Sequence, residues 1–159
     1  MAKNITIRKA TIEDVSAIIE LWKELMDFSK EYDEHWSRFE HGHENFAELL
    51  RSHIADDAFC ILVAELGEDI IGYCFAEICQ CNPRLFEIKE YGHISNVVVT
   101  EEHRREGVGE KLLQETRKWL SAKGVHRIEA CVSVFNEQAK EFWAKMGYIP
   151  YLETVFLKI

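Results

Sequence analysis

The stretch Val97-Val98-Val99-Thr100-Glu101-Glu102-His103-Arg104-Arg105-Glu106-Gly107-Val108-Gly109 decides how this chain is read. It runs from an apolar strand through a short charged turn to two closely spaced glycines. An amphipathic helix then begins near Glu110. That order leaves several backbone N–H groups without intrahelical partners beside two arginines. Such a place can hold a phosphate without a metal or a lysine clamp. The glycines alone could equally be a structural turn. The spacing is not a dinucleotide fingerprint, since the third glycine is missing, and no Gly-Lys-Ser or Gly-Lys-Thr closes a Walker loop.

Working outward from this stretch, the chain reads as alternating strands and helices. Residues 4–9 alternate apolar and polar and predict a first strand. Thr11 caps the helix that follows, with Asp14 in a capping-box role. The apolar spacing of Val15, Ile18, Ile19, Trp22, Leu25 and Met26 carries that helix to about Ser29. Residues 30–42 read as a loop with a short helix, and 45–55 as a second helix. A hairpin joins 58–66 to 70–81 across Gly67-Glu68-Asp69. Asn82-Pro83-Arg84 breaks the pattern. Strands follow at 91–99 and 126–132, a long helix at 111–122 and another at 136–146. A last strand is expected from Tyr151 to Leu157. These elements predict an α/β fold within one domain, residues 1–159, around a mixed sheet.

Composition fits a globular chain, with 47% hydrophobic and 30% charged residues. The net charge of -9 argues against nucleic acid as a partner, because phosphate backbones need clustered cations. No apolar run is long enough to cross a bilayer, so no membrane partner is expected. No secretory signal is apparent, and cytoplasmic localisation is expected. The five cysteines are odd in number and sit in strand-like segments, which favours structural burial in a reducing compartment over metal or disulfide use. No metal is expected.

Two linked motifs resemble those of the GCN5-related N-acetyltransferase family. The first is Arg104-Arg105-Glu106-Gly107-Val108-Gly109, following Val97-Val98-Val99. The second is Asn136, Ala139, Phe142-Trp143 and Gly147-Tyr148 at matching spacing. The order of elements agrees along nearly the entire chain. The resemblance implies a mostly antiparallel central sheet of about six or seven strands flanked by helices, with one splayed strand pair. It implies acetyl-coenzyme A as cosubstrate and a primary amine as acceptor. Backbone groups of Val97, Val98 and Val99 would hold the pantetheine arm or the thioester oxygen. The N–H groups from Arg105 through Glu106, Gly107, Val108 and Gly109 to Glu110 would meet the pyrophosphate, with Arg104 adding charge. Asn136 would reach the pantetheine, cap its helix, or do both. Ala139, Phe142 and Trp143 complete the cofactor set.

The same resemblance places a tyrosine after the helical Phe as general acid. Trp143 stands there instead, and indole is far too weak an acid. Tyr148, another hydroxyl or water would then protonate the thiolate. Glu77 and His93 are the base candidates, with Ser95 near them and Asn96 orienting substrate or water. Phe28, Tyr32, Trp36 and Phe39 either line an acceptor pocket or pack the arm. The acceptor could be a small-molecule amine or a protein amino group, and acidic charge leans toward a small cationic amine. A noncatalytic acyl-coenzyme A binding module is the alternative. The exposed edge of the last strand offers a surface on which a homodimer could form, and the sequence does not determine whether it does.

Overall fold

The structure is a computed structural model that describes residues 4–82 and 84–159. Pro83, part of the expected break after the hairpin, lies outside the described residues. The element order is β1 (Ile5–Lys9), α1 (Val15–Ser29), α2 (Gly42–His53), β2 (Phe59–Leu66), β3 (Asp69–Gln80), β4 (Glu90–Val99), α3 (Val108–Ala122), β5 (Ile128–Ala130) and α4 (Glu137–Lys145). Single turns of 3-10 helix stand at Ile12–Asp14, Glu34–Trp36 and Glu101–His103.

Among the described residues the strands form one five-stranded sheet in the order β1-β2-β3-β4-β5. The first three pairings are antiparallel, and β4 meets β5 in parallel. The count of six or seven strands is therefore corrected to five. Residues 151–157, expected as the last strand, carry no strand. Their apolar side chains find no sheet or helix to cover them: Leu152 is 74% exposed and Val155 89%. A strand without a neighbour has neither ladder hydrogen bonds nor a buried face to hold it.

Alternation along the strands divides the core between two faces. Ile61, Val63, Tyr73, Phe75 and Val98 meet α1 and α2 through Ile18, Leu21 and Leu50. Leu62, Ala64, Cys74, Ala76 and Ile94 meet α3 through Val108, Leu112 and Leu113. The helical spacing read in α3 holds, since Leu112, Leu113, Thr116 and Leu120 are all buried. Thr116 avoids an orphaned hydroxyl by donating to Leu112 O at 3.0 Å. The expected burial of the cysteines holds for Cys60 and Cys74, whereas Cys131 is exposed.

Arg8 ties the start of α1 to the sheet. Its guanidinium spans both oxygens of Asp14 at 2.7 and 2.9 Å, and its Nε donates to Glu65 at 2.7 Å. Asp14 also accepts from the Thr11 N–H at 2.7 Å, which is the capping-box half expected for that pair. Arg8 beside it holds the Asp14 carboxyl below the usual carboxylate range.

The register of β4 positions the site. Only Gly92, His93 and Ile94 pair with β5, opposite Ile128, Glu129 and Ala130. The remaining length of β4, to Val99, runs on without β5, so the two strands splay from Ile94 onward.

Candidate functional site

The loop leaving β4 is shaped by two residues in left-handed backbone. Arg105 has φ 66° and Gly107 has φ 80°. Gly107 is the N-cap of α3, which therefore starts at Val108, two residues before the start read near Glu110. A Cβ on Gly107 would touch nothing within 4 Å, so glycine is needed there for its φ and not for space. Val108 is 1% exposed and anchors the turn in the core, which leaves only its backbone N–H for a ligand. The first N–H groups of α3 have no intrahelical partner and carry the positive end of the helix dipole.

Side chains frame this turn. Arg104 Nε donates to Val99 O at 3.3 Å, which keeps the arginine at the end of β4. His103 Nδ1 lies 3.0 Å from Glu106 Oε2 and donates to it in the tautomer that carries the proton there. Glu110 lies 3.4 Å from Lys145 of α4. Val97 and Val99 face α3, while Val98 is buried on the α1 face.

Gly109 has a different reason from Gly107. A Cβ there would stand 3.3 Å from Phe142 Cζ, so the residue is small because α4 crosses it closely. The two motifs read separately along the chain are thus one packed unit. Asn136 caps α4, its Oδ1 accepting from Ala139 N–H at 3.0 Å. At the other end Gly147, at φ 85°, closes a Schellman motif: Gly147 N–H reaches Ala144 O and Tyr148 N–H reaches Trp143 O, each at 3.0 Å. That turn folds Tyr148 back on Trp143, with ring centroids 4.7 Å apart. The Tyr148 hydroxyl is buried without a hydrogen-bond partner among the described residues. Burial raises its pKa, against the nearby Arg117 charge, so it is a weaker acid than free tyrosine.

On the opposite face of the sheet, cross-strand register aligns Glu77 of β3, His93 of β4 and Glu129 of β5. Glu77 Oε1 is 3.4 Å from His93 Nδ1, and Ser95 Oγ is 3.4 Å from the same nitrogen. The two base candidates are therefore neighbours, whereas Tyr148 belongs to the α3 layer. Asn96 donates to Ser95 O at 2.7 Å. Glu129 was not singled out in the sequence. Burial opposes its ionisation, but the Tyr151 hydroxyl at 2.6 Å and Arg127 at 2.6 Å more than offset this and hold it below the usual range. The alternation Arg127, Ile128, Glu129 was a legible signal; the partner His93 was not, because parallel register is a tertiary property.

The four aromatic candidates lie on α1 and the connection to α2, over the Glu77 face. Phe28 and Tyr32 meet edge to face at 5.2 Å. Trp36 and Phe39 pair instead with His35 and His41 and are 47% and 68% exposed. Arg38 braces this connection against Asp27 at 2.8 and 3.0 Å. A cavity of about 410 Å³ opens elsewhere, beside Arg8, Asp14, Glu20, Glu24 and Asp69. Its carboxylates repel phosphate, so it does not compete with the α3 turn. Among the described residues no group of His, Cys, Asp and Glu is placed to hold a metal.

Comparison with known proteins agrees with this geometry. The chain is 27% identical over 152 residues to an uncharacterised N-acetyltransferase, MJ1207, of Methanocaldococcus jannaschii, covering 93% of this chain and 62% of that protein's length. Among solved structures, a tetramutant of the BH1408 protein of Bacillus halodurans superposes with a TM-score of 0.85 at 24% identity, covering 97% of this chain and 99% of that one. The aminoglycoside N-acetyltransferase AAC(6')-Iy in complex with CoA gives 0.79 at 16% identity, covering 98% and 95%. The model of the Acetyltransferase (GNAT) family matches residues 20–148, and the chain belongs to that family.

Proposed function

We propose that the protein transfers an acetyl group from acetyl-coenzyme A to a primary amine by direct attack of the neutral amine on the thioester. The observation that carries this reading is the splay of β4 from β5 directly ahead of the α3 turn. The gap offers a slot for an extended pantetheine arm against the free edge of β4. The turn offers N–H groups and two arginines for the pyrophosphate.

In this reading the amine approaches from the α1–α2 face. Its nitrogen forms a bond to the acetyl carbon while the carbon–sulfur bond breaks. The amine proton passes to the Glu77–His93 pair, directly or through water. Backbone N–H groups near Val98 and Val99 stabilise charge on the carbonyl oxygen. The departing thiolate takes a proton from water or from Tyr148. Carboxylates at Glu77 and Glu129, with a net charge of -9, favour a small cationic amine over a protein amino group and disfavour nucleic acid. We assign the protein to the cytoplasm, where its five free thiols stay reduced.

A second reading, an acyl-coenzyme A binding module without turnover, is favoured by one observation. Trp143 fills the helical position where the family resemblance places an acid, and it packs on Phe142 and Tyr148. Incubation with acetyl-coenzyme A and a panel of amines separates the two. Amine-dependent thiol release supports the transferase, and calorimetric binding without release supports the module. No coenzyme A binding at millimolar concentration would sink both.

A further inference from the structure

We propose that Glu129 is a positioning residue for the proton transfer: fixed by Tyr151 and Arg127, its carboxylate faces His93 from β5 and stabilises the imidazolium that forms when the ring takes the amine proton. This role rests on the acetyltransfer reading and adds to it a group that acts through His93 without touching the substrate.

The register of the sheet sets up the row. Glu77 pairs with His93 across β3 and β4, and His93 pairs with Glu129 across β4 and β5. Neighbouring strands stand about 4.8 Å apart, so His93 lies between two carboxylates. Ile128 and Ala130 turn into the α3 layer, which leaves Glu129 as the one side chain of β5 on the α1–α2 face. It is also the last on that face before the strands part, because β4 loses β5 after the Ile94–Ala130 pair. A charge there stands at the mouth of the gap in which the thioester would sit.

The two carboxylates are held differently. Glu77 Oε1 is 3.4 Å from His93 Nδ1, and Ser95 Oγ is 3.4 Å from the same nitrogen. Glu129 has its own donors. The Tyr151 hydroxyl donates to Oε2 and Arg127 Nε to Oε1, each at 2.6 Å, so both oxygens are fixed. Arg127 also stacks over the Tyr151 ring at 4.7 Å, which joins the two donors to each other. A carboxylate anchored this way needs little reorganisation when charge develops beside it. Burial opposes ionisation of Glu129, yet Tyr151, Arg127 and the charge of His93 hold its carboxyl below the usual range. Arg127 does not cancel this negative charge: its side chain is 44% exposed against 21% for Glu129, so water screens the guanidinium more strongly.

The chemical step explains why a second carboxylate matters. As the amine nitrogen bonds to the acetyl carbon, one of its N–H bonds breaks. The electron pair of that bond stays on nitrogen, and the proton joins the unprotonated nitrogen of the His93 ring. The ring then carries one positive charge between Glu77 and Glu129. With glutamine at position 129, Glu77 alone would face that charge.

Steady-state kinetics of a double-mutant cycle tests this, using acetyl-coenzyme A and an amine that the wild type turns over. Glu129→Gln is expected to lower kcat about tenfold, with coenzyme A affinity and the amine KM unchanged. Glu129→Asp, which keeps the charge, should recover part of the loss. In a His93→Gln background, Glu129→Gln should cost nothing further, since its effect runs through the ring. Equal losses in the two backgrounds overturn the proposal, as does an unaltered kcat or a loss confined to the amine KM. Should Glu129→Gln misfold, Tyr151→Phe decides, at a residue 63% exposed. Its hydroxyl is expected to be worth roughly two- to threefold in kcat in the wild type and nothing in His93→Gln. A wild-type protein that releases no thiol with any amine sinks the acetyltransfer reading and this role with it. An active wild type whose cycle is additive removes Glu129 alone.

Discussion

Gly109 in α3 and Phe142 in α4 touch so closely that a methyl group on Gly109 would sit 3.3 Å from the ring. The contact joins the turn after β4 to the helix carrying Asn136, and it sets how far α4 stands from the β4–β5 gap. Gly109→Val is expected to lower stability by roughly 1–3 kcal/mol through overpacking, measured by urea unfolding. Phe142→Ala in the same chain should recover part of that loss, since the two changes share one contact. Strict additivity of the two single effects would refute the coupling.

Glu77 and His93 face one another across β3 and β4 at 3.4 Å. If the pair receives the amine proton, Glu77→Gln lowers kcat by about 10²-fold and leaves coenzyme A affinity unchanged. The pH profile of kcat should change shape in Glu77→Gln and in His93→Gln. A turnover profile identical to wild type across pH removes the pair from the mechanism.

Asp14 is held as a carboxylate by Arg8, with its pKa below the ordinary 3.8. A depressed folded-state pKa contributes stability that is complete above pH 3.8 and disappears as pH falls through the folded value. Asp14→Asn is therefore expected to cost about 2 kcal/mol at pH 7, discounted for the exposed flank of Arg8. The difference from wild type should shrink as pH drops below the ordinary carboxylate value. Denaturant titrations at several pH values measure it, and a pH-independent gap would contradict the linkage.

Burial pushes the Cys74 thiol up to about 12 and the Cys60 thiol up to about 11. Cys131 is exposed. Maleimide labelling of the native protein near neutral pH should modify Cys131 first and spare Cys60 and Cys74 until the chain unfolds. Peptide mass mapping reads the order, and early labelling of Cys74 would contradict the packing of its core.

Much of the architecture was legible because it rests on local periodicity. The buried positions of α3 follow from 3.6-residue spacing, and the β2–β3 hairpin from its turn residues. The turn after β4 was legible because glycine at φ 80° and an N-cap are local requirements. Helix starts were less so: α3 begins at Val108, before Glu110, because Gly107 in left-handed backbone already serves as its N-cap. Glu129 escaped notice because its importance comes from lying opposite His93, and nothing in the spacing along the chain encodes that register.

The order of residues alone determined the elements, their apolar faces and the glycine turn ahead of α3, since each depends on neighbours within one or two helical turns. Tertiary structure decided three other matters: that β4 parts from β5 after Ile94, that Glu77, His93 and Glu129 form a row, and that residues 151–159 stay off their own sheet. A strand-forming tendency becomes a strand only where an edge is within reach of the chain. The path imposed by Tyr151 on Glu129 carries this segment away from the one edge nearby.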